Sequence, residues 1–307
     1  MPELPEVQTV VNDLNEKIVG YTVVDFWSDW AKAIKNKTLP NFQKEIKNRK
    51  ILNVRRIGKN IFIDLSGKKT LYIHLKMTGH LLVKSQKSIK SKAQKDYFND
   101  KVNSYVHHIW YLKNKAKNPT SILPLKRGGR DKEKTLSLEF SDVRKFAKIV
   151  LDDTKKINEL PEIEKLGVDA MSSEFSFKKF TEILDNKKDK PIGVVLMDQE
   201  LISGIGNIYR SEILFESGVL PQRKISSLSL NEKKSIYKNI KKVLQKAIKM
   251  RGTSDSDYRD TDGAPGNFQK VLKVYRKAGK KCPRCGTMIK RMTLGQRSVF
   301  YCPKCQK

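Results

Sequence analysis

The four cysteines of this 307-residue chain all lie in its last 26 residues, as Cys282-Pro-Arg-Cys285 and Cys302-Pro-Lys-Cys305, with sixteen residues between the pairs. That spacing constrains the fold more than any other feature. Each Cys-x-x-Cys turn presents two thiolates to one tetrahedral ion, and the segment between the pairs is long enough for a hairpin that brings them together. No histidine lies nearby, so all four thiolates are expected to hold one structural Zn2+ with no open coordination position. The rival pattern, two disulfides in a secreted domain, calls for a signal peptide, and no basic segment with an apolar core is visible at the N-terminus.

Charge narrows the class of partner. The chain holds 63 Lys plus Arg against 33 Asp plus Glu, a formal net charge of +30, well beyond what solubility needs. An extended polyanion is therefore expected, with nucleic acid the first candidate. An anionic membrane surface is the rival, but no long apolar run is present. A soluble, cytoplasmic protein of more than one domain is expected. Charge by itself identifies no reaction.

From Pro5, the residues Val7, Val10, Val11, Leu14 and Ile18 recur at helical spacing and Gly20 follows as a stop, predicting one amphipathic helix. From residue 21 to about 153 the pattern changes to short β-type runs at 21–26, 60–65, 70–75, 106–112, 136–140 and 147–151. A β-sandwich or barrel with the helix packed on it follows. Two lysine-rich polar stretches, 85–101 and 113–134, read as loops. Helical patterns then take over at 175–184, 192–197, 207–215 and 232–250. The expected domains are 1–152, 153–270 and 271–307. Within the second, residues 198–209 join two helices through a glycine-bearing turn. Asn207 either caps the second helix or stands among backbone N–H groups that seat a phosphate.

The first seven residues, Met1-Pro2-Glu3-Leu4-Pro5-Glu6-Val7, carry the strongest chemical suggestion. Removal of Met1 exposes a secondary amine with two carboxylates close by. Proline condenses with a sugar aldehyde only to a permanently cationic iminium, a strong electron sink. Free α-amino groups titrate at roughly 7.7 to 8.0, so much of this amine is nucleophilic near neutrality if positive charge lies close. The plainer reading is that Pro5 starts a helix, with Glu3 and Glu6 near its positive end.

Taken in order, that start, His74-Leu75-Lys76-Met77-Thr78-Gly79, Asp142-Val143-Arg144-Lys145-Phe146, the turn at 198–209, segment 262–268 and Gln296-Arg297-Ser298 resemble the bacterial formamidopyrimidine-DNA glycosylase and endonuclease VIII family of base-excision repair enzymes. The resemblance runs nearly end to end. Leu4 looks like the formamidopyrimidine branch, since the endonuclease VIII branch usually carries glycine there. The resemblance implies an α+β chain: an N-terminal β-sandwich with the N-terminal helix, a helix-two-turn-helix domain and a C-terminal zinc hairpin. It implies a monomer that acts on double-stranded DNA containing oxidised purines or abasic sites.

By the same resemblance Pro2 attacks C1′ of the damaged nucleotide and the strand breaks by β,δ-elimination, while Glu3 handles proton transfer at the sugar and Glu6 positions the amine and nearby water. Lys59, Asn207 and Arg297 match positions that hold phosphates, and Tyr209 lies in the same DNA-binding motif. His107 and His108 are similar to a strand that touches the DNA backbone, where alternation lets only one of them reach. Met77, Arg144 and Phe146 match a trio that fills the hole left by the displaced base, and loop 252–268 would cover that base. The chain departs from the family pattern at Asn60, Lys76, Val143, Lys145 and Ala147, and its connection between Met77 and Arg144 is longer. Two other readings stand: an endonuclease VIII-like preference for oxidised pyrimidines, and a non-catalytic zinc-ribbon protein that binds nucleic acid by charge.

Overall fold

The stripe of apolar residues after Pro5 forms helix α1, Leu4–Ile18, and Gly20 at φ 90° ends it where an ordinary side chain would be strained. The computed structural model describes residues 1–85, 96–114, 134–255 and 257–307, so the lysine-rich stretches expected as loops lie largely outside the described residues.

Two antiparallel four-stranded sheets follow. One has the order β1 (Thr22–Ser28), β6 (Val106–Asn114), β7 (Lys134–Ser141), β5 (His80–Ser85). The other has the order β2 (Ile51–Ile57), β3 (Asn60–Leu65), β4 (Lys69–His74), β8 (Lys148–Asp153). Side chains alternate across each strand, so Ile61, Ile63 and Leu65 enter the core between the sheets while Phe62 points outward. There it pairs with Tyr72, ring centroids 5.4 Å apart, under Ile157 and Ile163 from two short helical turns. The sandwich core also takes Val7, Val10, Val11, Leu14 and Ile18 of α1, as the periodicity requires. A helix at Leu39–Ile46 and strands β2 and β5 were not expected. In β2 the polar pair Arg55 and Arg56 hides the apolar positions, and β5 is a short run behind the Met77 turn.

The second unit is helical, with Phe177–Asp185, Ile192–Val195, Asn207–Ser217 and Leu230–Lys249 around its own core. A two-stranded hairpin, Lys290–Leu294 with Arg297–Tyr301, carries the cysteines. Among the described residues no helix is long and apolar enough to cross a membrane.

Leu4 departs from its neighbours on α1. It is fully buried in the core of the helical unit rather than in the sandwich, and its N–H donates to Gly204 O at 3.0 Å. One helix therefore serves two cores, with its first turn at their junction. Gly204 is held to glycine by this, because it sits at φ 106° and an added Cβ would lie 2.5 Å from Leu4 Cδ1. Leu4→Ala should cost about 2 to 5 kcal/mol in urea unfolding. A loss under about 1 kcal/mol would mean that Leu4 does not anchor the terminus.

Candidate active site

Glu3 stands one residue before α1, where it and Glu6 form a capping box, and its carboxylate also reaches a second helix. It accepts N–H bonds from Gly206 at 2.8 Å, Ile208 at 2.9 Å and Tyr209 at 3.3 Å, at the N-terminus of the helix Asn207–Ser217. These amides are the donors that the sequence offered to a phosphate. With Glu3 on them, those three amides are taken, and the groups that face the neighbouring cleft are Asn207 and side chains such as Arg276 and Arg297. An added Cβ at Gly206 would lie 2.3 Å from Glu3 Cδ, so close approach demands glycine there.

Glu6 is the most deeply enclosed acid of the site. Its carboxylate accepts from Glu3 N–H at 2.8 Å, from Thr253 N–H at 2.7 Å and from the Tyr209 hydroxyl. Burial, with the Glu3 carboxylate adding, pushes its carboxyl up to about 7 against the lowering effect of those donors. Tyr209 is itself fully buried, so the expectation that it touches DNA is corrected: its hydroxyl serves Glu6 and it has no face to solvent.

Lys59 is 7% exposed, on the tight turn between β2 and β3, and its Nζ donates to Ile205 O at 3.0 Å. Burial lowers its pKa, Glu3 and Glu6 oppose the shift, and Arg297 adds to it. Arg297 lies at the tip of the zinc hairpin, where it shares a cleft of about 660 Å³ with Asn207 and Arg276. The turn of Lys59 is tied to the helical unit through Asp169, which accepts from Gly58 N–H at 2.7 Å and from the Arg56 guanidinium at 2.9 Å. Pro2 is buried and Met1 is half exposed, so the expected amine sits inside this junction behind a residue that solvent reaches.

The expected void-filling trio forms a second, outward-facing cluster. Met77 and Phe146 are exposed, the Arg144 guanidinium donates to Met77 Sδ at 3.2 Å, and it lies 4.8 Å from the Phe146 ring centre. Sequence reasoning gave no role to Asp142, although it builds this cluster. It is fully buried and accepts N–H bonds from Arg144, Phe146 and Ala147 at 3.3, 2.9 and 3.0 Å, and the Thr78 hydroxyl as well. Lys76, one of the departures from the family pattern, sits at φ 55°, the left-handed region that favours glycine.

Of the histidine pair, His108 is corrected. His108 is fully buried among Phe26, Trp30, Trp110 and Phe140, and burial, with His107 adding, holds its imidazole down at about 3. It is a neutral core residue with no route to a phosphate. His107 is 7% exposed, and its Nδ1 lies 2.9 Å from Asp29 Oδ1. The strand ladder is irregular between Val106 and His108, and the Trp30 ring centre lies 5.8 Å from that of His107 and 5.7 Å from that of His108.

Arg210 was also missed. Its buried guanidinium donates to the Asn207 Oδ1 and, at 3.0 Å, to Gly193 O. With its oxygen occupied, the Asn207 carboxamide turns its N–H2 toward the cleft. In the hairpin, the ligand atoms of Cys282, Cys285, Cys302 and Cys305 lie within 4.8 Å of one another. A tetrahedral zinc with Zn–S bonds of about 2.3 Å spaces its sulfurs about 3.8 Å apart, so the set fits one ion. Cys282 and Cys305 Sγ are 3.8 Å apart, and Cys285 and Cys302 Sγ are 3.5 Å apart.

Family models match three parts of the chain: a formamidopyrimidine-DNA glycosylase N-terminal domain over residues 1–149, its H2TH domain over 166–259, and a zinc finger found in FPG and IleRS over 279–307. The formamidopyrimidine-DNA glycosylase of Carboxydothermus hydrogenoformans is 36% identical over all of both chains. The chain belongs to the formamidopyrimidine-DNA glycosylase family. A further member, from Ureaplasma parvum, is 32% identical over all of both chains. Among solved structures, the Lactococcus lactis Fpg in complex with DNA containing an abasic site superposes with a TM-score of 0.79 at 27% identity, covering 99% of each chain. Its T221P mutant in complex with Fapy-dG containing DNA gives 0.79 at 28% identity over 100% of each. As in the family's zinc finger, the four cysteines hold one structural zinc.

The raised Glu6 value has a stability consequence. The folded chain holds this proton more tightly than the unfolded one between the ordinary 4.5 and about 7, so stability falls as pH rises through that window. Glu6→Gln removes the part of the slope that Glu6 contributes. Urea midpoints should show the wild type losing up to roughly 3 kcal/mol relative to the variant across the window, and a constant difference would contradict the buried placement.

Proposed function

We propose that the chain is a bifunctional DNA glycosylase and abasic-site lyase acting on oxidised purines in duplex DNA, with the Pro2 amine as nucleophile once Met1 is removed. The observation that carries this reading is the junction itself: the terminus is threaded between two domains beside two buried carboxylates and a buried lysine.

In this reading the Pro2 nitrogen attacks C1′, the glycosidic bond breaks, and its electron pair leaves with the base. The nitrogen gives up its proton, its electron pair opens the sugar ring, and the ring oxygen takes a proton delivered by Glu3, which gives the iminium. Loss of a C2′ proton into that electron sink expels the 3′-phosphate, and a second elimination expels the 5′-phosphate. Near neutrality Glu6 is present in both protonation states, which suits a group that relays protons between water and the amine. Lys59, the Asn207 amide and Arg297 hold phosphates around the displaced nucleotide. Met77, Arg144 and Phe146 occupy its place in the stack, at a cost of roughly a few kcal/mol in unstacking that these contacts offset. A monomer suffices, because both domains of one chain build the site.

A second reading, excision of oxidised pyrimidines, has one observation in its favour: a Lactococcus lactis Fpg structure with DNA containing an oxidised pyrimidine superposes on this chain with a TM-score of 0.78. Rates on duplexes with each lesion class separate the two readings.

Borohydride should trap the Met1-free protein on a duplex containing 8-oxoguanine opposite cytosine, with the adduct mapped to Pro2. The form that keeps Met1 should give none. An adduct on the Met1 form, or none on a preformed abasic site, would remove the amine mechanism.

A further inference from the structure

Loop 252–268 is bound on both flanks by different parts of the chain. On one flank it meets α1: Arg251 bridges Asp13 and Asp260, Lys17 pairs with Asp262 at 2.7 Å, and Thr253 N–H reaches Glu6. On the other flank it meets residues 97–103, around the end of the first of the two lysine-rich stretches in the lengthened connection between Met77 and Arg144. Nothing in the reaction as described uses that second contact.

Its chemistry is specific. The Arg259 guanidinium donates through Nε at 3.0 Å and Nη2 at 2.8 Å to Asp100 Oδ2. Asn103 is 1% exposed and bonded through both ends of its carboxamide. Its Nδ2 donates to Tyr97 O at 2.6 Å and to Gly263 O at 3.2 Å, and its Oδ1 lies 2.8 Å from His80 Nε2. One buried amide thus joins the connection, strand β5 and the loop. Gly263 sits at φ 77°, and an added Cβ would lie 2.7 Å from Asn103 Nδ2, so the loop comes as near as only glycine allows. The loop also reaches β5 directly, through Val83 N–H to Thr261 O at 2.9 Å.

We propose that Asp100 and Asn103 are positioning residues for lesion excision: they latch the 259–263 segment of the covering loop to the sandwich, so that the lengthened connection sets how the loop closes over a displaced base. The proposal rests on the reading of 252–268 as that cover. Closing a loop from a pre-anchored flank leaves fewer residues to order when the base arrives. The abasic product has no base to cover. The latch therefore acts on base removal and leaves strand cleavage at a preformed abasic site untouched.

The test uses the full chain with its zinc. In Asp100→Ala, single-turnover excision of 8-oxoguanine should fall roughly tenfold, while lyase rate on a preformed abasic site stays within about twofold. Amides of 259–263 should exchange faster with deuterium, and Asp100→Glu should restore both readouts. Asn103→Ala should give the same split. Unchanged excision with unchanged exchange overturns the proposal, and so does an equal fall in excision and lyase rates. If the chain removes no base at all, the proposed function fails, and exchange in Asp100→Ala still decides whether the latch exists.

Discussion

The carboxylate of Glu3 on the first turn of the helix Asn207–Ser217 is the contact on which the site depends. A buried anion is costly unless it is paired, and here three backbone N–H groups and the positive end of a helix receive it. Each charge-assisted bond is worth about 1.5 to 3 kcal/mol, and each amide left buried without a partner would cost about 1 to 3 kcal/mol. The arrangement spans more than two hundred residues of sequence and ties the terminus to the helical unit. Leu4 in the helical core, Gly204 and Gly206 without side chains, and the Leu4 N–H on Gly204 O all serve the same placement.

Those three amides, once given to Glu3, are not free for a phosphate. The burden passes to side chains around them, and those are held by buried charges of their own. Arg210 fixes the Asn207 carboxamide, and burial pulls its guanidinium down to about 10, Glu3 working against the shift and Arg297 with it. Lys59 feels the same neighbours. Cations and carboxylates thus share one low-dielectric junction, where a change at any of them is felt by the rest. The outward cluster of Met77, Arg144 and Phe146 is built by a separate device, the buried Asp142, which gathers three amides and a hydroxyl.

Much of this was legible in the sequence. The cysteine spacing specified the zinc hairpin, the stripe after Pro5 specified α1, and the alternating runs specified most of the sandwich. The rule that a carboxylate favours a helix N-terminus placed Glu3 and Glu6 correctly at the start of α1, but it hid the second helix that Glu3 also reaches, since a pattern along the chain does not show which helix will arrive in space. Leu4 was concealed for the same reason: it continues the stripe of α1 yet belongs to a second core. Tyr209 and His108 went astray because motif position and strand alternation say which way a side chain points, and not whether something covers it. Asp142, Arg210 and Asn103 are polar residues whose roles are to satisfy buried groups, and only tertiary contacts identify those partners.

Amide hydrogen exchange at Ile208 and Tyr209, in the wild type and in Glu3→Ala, tests the central contact most directly. Both amides should be strongly protected in the wild type and lose that protection in the variant, while amides in the middle of the same helix keep theirs. Equal protection of Ile208 and Tyr209 in the two proteins would show that Glu3 does not cap this helix, and that something else holds the terminus between the domains.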